Sequence, residues 1–222
     1  MNELEQSYEP CRFEHKNLFE DSLQKYIFSL LENAYFDLMS DKKVNINKKD
    51  ELKCTAQLVY FAIKLRNKNH YPFLFHPESP YEDMQEIVYG EVSPKTSSRI
   101  DIKIRKKDWD EESFITVECK RLDKDKYHVL IKKYVDEGMD RFISGKYCAE
   151  NNCSFMVGFI VDGDNLEIIS EINAYVQEKY SDYDKLKKIK ENLHYFSKHN
   201  REKGFTPFKI NHLFANIDKI TI

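Results

Sequence analysis

The chain has 222 residues with 41% hydrophobic and 33% charged positions and a formal charge of −3, which suits one core of ordinary size. No apolar run approaches a membrane span, and the start Met1-Asn2-Glu3-Leu4-Glu5 offers no basic, apolar leader, so a cytoplasmic protein is expected. The five scattered cysteines (Cys11, Cys54, Cys119, Cys148, Cys153) include no Cys-x-x-Cys pair, which argues against a disulfide framework or a structural zinc site.

Charge is unevenly spread. The first forty residues hold eight acids against Arg12, Lys16 and Lys25, a balance of −5, which leaves +2 for the remainder. Basic clusters at 42–53, 95–107 and 185–203 permit phosphate binding without requiring it, because charge runs also make solvated faces.

In chain order, Phe19, Leu23, Ile27, Leu30, Ala34 and Leu38 recur at three and four, which predicts a long amphipathic helix. After a Lys/Asn-rich loop, Asp50 or Asn47 caps a second helix with the stripe Leu52, Ala56, Val59 and Ile63, and Glu51 lies in its first turn. Pro72, Pro77 and Pro80 then forbid regular helix, with room for a short extended piece at Phe73 to Phe75. Glu86 to Val92 reads as a strand and Pro94 to Ser98 as a loop.

The next stretch is the centre of the sequence. Arg99 to Arg105 alternates apolar and charged residues, and Phe114 to Arg121 is rich in β-branched residues, so the two read as a hairpin. With Asp101 opposite Glu118, Lys103 faces Thr116 and Lys120 faces Arg99. Asp101, Glu118 and Lys120 then share one face, while Ile100, Ile102, Val117 and Cys119 share the other. Gathered charge on a sheet face is costly unless it is paired or binds a metal. A cross-strand salt-bridge cluster is the alternative reading, and a helix-dipole role is the alternative for Glu51.

Downstream, Tyr127, Ile131, Tyr134/Val135, Met139 and Phe142 mark the core side of a helix. Phe155 to Val161 is apolar throughout, as in a strand covered on both faces. A helix with Leu166, Ile169 and Ile172 follows, then one with Leu186, Ile189, Leu193 and Phe196, and an extended segment around Phe208 to Phe214. His194 and His199 are expected at the surface. Tyr134, Gly138 and Arg141 share a helical row, so Tyr134 could line a site and Gly138 could allow close approach of a backbone or ligand. Arg141 could contact a phosphate or pair with Asp136, Glu137 or Asp140. No internal repeat or domain boundary is visible, so 1–222 reads as one α/β domain with a mixed sheet.

Asp101, then Glu118-Cys119-Lys120 at the end of the next strand, then a helix and a buried strand, resembles the PD-(D/E)XK nuclease superfamily with its restriction-endonuclease-like fold. The resemblance covers Glu51 to Val161, within a core of about 47–165, and leaves the N- and C-terminal helices as elaborations. It implies a helix, a three-strand meander, a crossover helix and a fourth strand. It also implies Asp101 and Glu118 as acids for Mg²⁺ or Mn²⁺, Lys120 as the catalytic lysine, and Glu51 as a further acid on the first core helix. The carbonyl of Cys119 could add an oxygen ligand, and Arg99, Tyr134 and Arg141 are candidate substrate contacts.

Ile100 stands where many members carry Pro. The acid-x-Lys spelling also recurs at Glu14/Lys16, Asp41/Lys43, Glu51/Lys53 and Asp101/Lys103, so strand context singles out Glu118/Lys120. A register with Glu91 as first acid and Asp101/Lys103 as the second half leaves Glu118 unexplained. The implied function is phosphodiester hydrolysis, most of all of DNA, by an enzyme that could act as a homodimer. The alternative is a degenerate member that only binds nucleic acid or protein.

Overall fold

The computed structural model describes residues 12–46, 50–77, 102–107, 114–145, 151–180, 182–190, 193–201, 204 and 206–218, with side chains of the first helix described from Ser22 onward. Its elements are α1 (Arg12–Ser40), α2 (Glu51–Lys68), β1 (Phe73–Pro77), β2 (Ile102–Lys106), β3 (Ile115–Asp123), a helical crossover, β4 (Cys153–Asp162), α5 (Asn165–Lys179), β5 (Lys187–Lys190), β6 (His194–His199) and β7 (Phe208–Asn216). The crossover consists of α3 (Tyr127–Lys132), a π-helical turn (Lys133–Met139) and α4 (Asp140–Ile143).

The strands form one seven-stranded sheet in the order β1-β2-β3-β4-β7-β6-β5. β3, β4 and β7 run parallel and the remaining pairs are antiparallel, so the sheet is mixed. β4 lies at its centre, and nine of its ten residues are buried, as an unbroken Phe155-Met156-Val157 run requires. β1, β2 and β3 form the antiparallel meander that feeds the crossover.

Two apolar clusters sandwich the sheet. α1 and α2 cover one face, packing Ile27, Leu31, Leu58 and Phe61 against Ile102, Val117, Cys119 and Val157. The crossover and α5 cover the other, packing Tyr134, Met139, Phe142 and Ile172 against Leu122, Met156 and Phe214. Strand alternation therefore turns Val117 and Cys119 toward α2, and Glu118 and Lys120 toward the crossover.

Asp50 caps α2, accepting a hydrogen bond from the Lys53 N–H at 3.2 Å; Asn47, the other expected cap, lies outside the described residues. Asp164 caps α5 in the same way. Lys103 pairs with Thr116 across β2 and β3, the expected register. Phe73 to Phe75 lies within β1. The strand expected at Glu86 to Val92 and the loop at Pro94 to Ser98 lie outside the described residues.

One expected helix is absent. The segment carrying Leu186, Ile189, Leu193 and Phe196 forms the antiparallel strands β5 and β6 instead. Tyr195, Ser197 and His199 alternate inward with period two, and pairing with β7 overrides the three-four apolar spacing. His199 is accordingly buried, and His194 is half-buried with its ring stacked 3.3 Å from that of Phe28. Neither is the surface residue expected. No helix among the described residues is long and apolar enough to cross a membrane.

Candidate functional site

Glu118 is the organising residue. Its position on β3 follows from alternation, since burying Val117 and Cys119 under α2 turns Glu118 to the opposite face. There it is 1% exposed. Lys120, two residues along and on the same face, donates from Nζ to Glu118 Oε1 at 2.6 Å and to the Cys119 carbonyl at 3.3 Å. Arg141 reaches the same Oε1 from the crossover at 3.1 Å. The other oxygen, Glu118 Oε2, is buried with no hydrogen-bond partner. A buried carboxylate oxygen left bare is costly, because desolvation is then uncompensated.

The opposite face supplies Glu51 from the first turn of α2. Its Oε2 accepts the Arg121 backbone N–H at 2.7 Å, and its Oε1 lies 3.9 Å from Lys120 Nζ. One carboxylate thus ties the end of β3 to the start of α2 and adds a second negative charge beside Lys120. Burial draws the Lys120 pKa down, but the charges of Glu118 and Glu51 outweigh it and hold the ammonium above its ordinary value. At neutral pH Lys120 is a cation.

Cys119 sends its thiol the other way, into the core, where burial pushes its pKa far up. It offers the site a carbonyl and no thiolate. Above the strand the crossover runs close at Gly138, where an added Cβ would collide with Met156 Cε and lie 3.8 Å from Lys120 Cγ. Close approach was expected of this glycine, and the neighbour is a β4 side chain. The π-helical turn spans the same place. Such turns recur at functional sites because they re-aim the side chains that follow, and here Arg141 follows.

These residues open onto a cleft of about 930 Å³ whose lining includes Glu51, Glu118, Lys120, Lys126, Lys133 and Arg141. Glu51, Glu118, Cys119, Lys120 and Arg141 are therefore brought together. Tyr134 is not among them. Expected to line the site, it is fully buried between the crossover and the sheet, and its hydroxyl bonds His212 Nδ1 at 2.8 Å. Arg141 pairs with Glu118 of β3, 23 residues away in sequence. Asp101 and Arg99 lie outside the described residues, as does Glu91.

Sequence reasoning passed over Asp123, Asp125 and Asp162, which bring carboxylate oxygens within 4.8 Å of one another. Asp123 and Asp125 line the same cleft. The available signal was that parallel β3 and β4 end side by side, with Asp123 paired to Asp162. Asp123 is engaged by Arg121 Nη2 at 3.1 Å and by the Asp125 N–H at 3.0 Å.

The donors around Glu118 suit a hard cation. The Glu118 and Glu51 carboxylates and the Cys119 carbonyl are oxygen donors of the kind Mg²⁺ and Mn²⁺ take, with Lys120 Nζ set between the two acids. Comparison with protein-family models, curated proteins and solved structures finds no match for this chain.

Proposed function

We propose that this chain is a divalent-metal-dependent nuclease of the restriction-endonuclease-like type, hydrolysing phosphodiester bonds, most of all in DNA. The observation that carries the reading is Glu118, a buried carboxylate at the wall of a cleft, with one oxygen held by Lys120 and Arg141 and the other buried without a hydrogen-bond partner. The order α2, β1-β2-β3 meander, helical crossover, parallel β4 supports it, being the arrangement the PD-(D/E)XK resemblance implies. So does chain adjacency. Ile102 pairs with Val117, Asp101 directly precedes Ile102, and Glu118 directly follows Val117.

In this reading Glu118 and Asp101 hold the metal, with the Cys119 carbonyl and Glu51 as further oxygen donors. A bound Mg²⁺ or Mn²⁺ supplies a coordinated water of lowered pKa and a Lewis acid for the phosphate. Lys120 would orient the attacking water and stabilise the charge that develops on the phosphoryl oxygens. Arg141 bridges Glu118 and the incoming phosphate, holding the carboxylate in place before metal and substrate arrive. Glu51 fixes the end of β3 through the Arg121 N–H, and so sets where Lys120 points.

The test is Mn²⁺ titration calorimetry with cleavage of a supercoiled plasmid, run on the wild type, Glu118→Gln, Asp101→Ala and Lys120→Ala. The expected result is saturable Mn²⁺ binding lost in Glu118→Gln and Asp101→Ala, and cleavage reduced at least about 100-fold in all three variants, as for loss of a group that stabilises charge in the transition state. Retained cleavage by pure Asp101→Ala protein would overturn the mechanism. Nucleic-acid binding with no Mn²⁺ heat and no cleavage would make the chain a binding module.

A further inference from the structure

The face of β3 that carries Glu118 continues onto β2 and β1. Thr116, two residues before Glu118, shares its side of the sheet and pairs with Lys103. Lys103 in turn pairs with His76 of β1, and Arg105 shares the side of Lys103. His76, Lys103, Arg105 and Phe114 line a hollow of about 280 Å³, large enough for a phosphate group.

Its charge is unbalanced. Lys120, Arg121, Lys124, Arg141, Lys179, Lys187 and Lys190 each have a carboxylate partner. Among the described residues Lys103 and Arg105 have none. Lys103 Nζ rests 4.8 Å from the centre of the Phe114 ring, and Arg105 Nε is buried without a hydrogen-bond partner. A cation and an imidazole directly opposite on neighbouring strands, beside a half-buried guanidinium with an idle donor, call for an anion.

We propose that His76, Lys103, Arg105 and Phe114 form a phosphate subsite that holds the nucleic-acid strand next to the bond at Glu118. This rests on the nuclease reading above and extends it to how the strand is held. The separation fits. Lys103 lies one strand across from Thr116, which is two residues, about 7 Å, along β3 from Glu118, so the subsite is a few phosphate steps from Glu118 for a strand that rises about 3.4 Å per phosphate. Arg105 offers its fork to the phosphate oxygens and Lys103 a point charge, while the Phe114 ring keeps the Lys103 stem in place. The contact is to the backbone, so it positions the strand and carries no sequence preference.

The experiment is fluorescence anisotropy of a labelled 20-nucleotide duplex and single strand with the full chain in EDTA, across a salt series. The variants are Lys103→Gln/Arg105→Gln, the charge-keeping Arg105→Lys, and the control Lys187→Gln/Lys188→Gln on exposed β5. Each is also titrated with Mn²⁺. The double variant is expected to weaken oligonucleotide binding at least about tenfold and to flatten the log–log salt slope by about two, one for each phosphate-contacting cation lost. Arg105→Lys should recover part of the loss, the control should change neither quantity, and Mn²⁺ binding should stay as in wild type.

Unchanged affinity and slope in the double variant would overturn the proposal. So would wild-type protein that binds inorganic phosphate but no oligonucleotide. Absent Mn²⁺ binding alongside the expected loss of oligonucleotide binding would instead sink the nuclease reading and leave the subsite standing.

Discussion

Two groups of polar side chains are buried on the crossover side of the sheet, one around Glu118 and one running Tyr134, His212, Ser197, His199. They belong to a single row across the strands, in which Glu118 pairs with Met156, Met156 with His212, and His212 with Tyr195. The second group is uncharged and paired through His212. Tyr134 bonds His212 Nδ1 at 2.8 Å, Ser197 bonds His212 Nε2 at 2.9 Å, and His199 Nε2 bonds Ser197 at 2.7 Å. Each hydroxyl and both nitrogens of His212 have partners, and the run ends at His199, whose Nδ1 is buried without one. The Glu118 group is charged, bare at one oxygen and open to a cleft. A neutral network paired through His212 specifies a core, whereas a buried carboxylate with one oxygen unpaired beside a cleft is a candidate binding site.

Breaking each group separates the two kinds. The largest effect on stability is expected from His212→Leu, which leaves the fully buried Tyr134 hydroxyl with no partner and takes one from Ser197. Urea unfolding should show a loss of about 3 kcal/mol, from unpaired buried groups and imperfect repacking, while Mn²⁺ affinity is unchanged. Lys120→Met comes next. It strips Glu118 of one of its two cations and should cost about 2 kcal/mol, with Mn²⁺ recovering part of that loss by binding only the folded state. If Mn²⁺ stabilised both variants equally, the distinction between a neutral network and an open site would fail.

Acid provides a smaller, graded test. Burial holds His199 down to about 4, with Asp184 opposing and Arg201 adding to the shift, and holds His212 well below its ordinary value. The unfolded chain takes up these protons near pH 6.5 and the folded chain does not, so stability should fall as pH drops below about 6.5 and level off for His199 near pH 4. The His199 share at pH 5.5 is roughly 1 kcal/mol. Urea midpoints between pH 7.5 and 4.5 would show it, and His199→Gln should reduce the slope. A flat profile in wild type would mean that these imidazoles are not buried neutral in the folded chain.

How much of this was legible in the sequence depended on whether local pattern or distant pairing decides each position. The alternation in Ile102-Lys103-Ile104-Arg105 and the apolar run before Glu118 are local, so the face shared by Glu118 and Lys120 could be read directly, while the Lys103–Thr116 register followed only from supposing a regular hairpin. The helix stripes of α2 and the crossover were equally plain. Arg141 had acids on its own helix as rivals, and only the packing of the crossover over β3 brings it to Glu118. Tyr134 sits on the same helical row and looks alike on paper, but His212, 78 residues away, claims its hydroxyl. The β5–β6 segment misled because Leu186, Ile189, Leu193 and Phe196 keep helical spacing. The strand character of β6 comes from β7, which supplies its hydrogen bonds and its buried face, and exposed β5 pairs onto β6 in turn.

Gly138 gives the finest probe of the same comparison. It was singled out because a glycine inside a helix costs about 1 kcal/mol against alanine, and the structure shows what that secures. The residue lies over Met156, which separates Glu118 from His212 in the transverse row, and its missing Cβ leaves room for the Met156 methyl and the Lys120 stem. Gly138→Ala gains helix propensity and must displace the end of a flexible methionine, so the net change in stability should stay within about 1 kcal/mol. The displacement is not symmetric in its consequences. His212 is locked by two hydrogen bonds, whereas Lys120 can move, so the variant should lower Mn²⁺-dependent cleavage while its unfolding profile against pH stays as in wild type. Met156→Leu in the Gly138→Ala background, which removes the colliding methyl, should return part of the lost activity. A variant that instead changes the pH profile and spares cleavage would show that the methionine yields toward the histidine, and that the neutral network is the softer of the two.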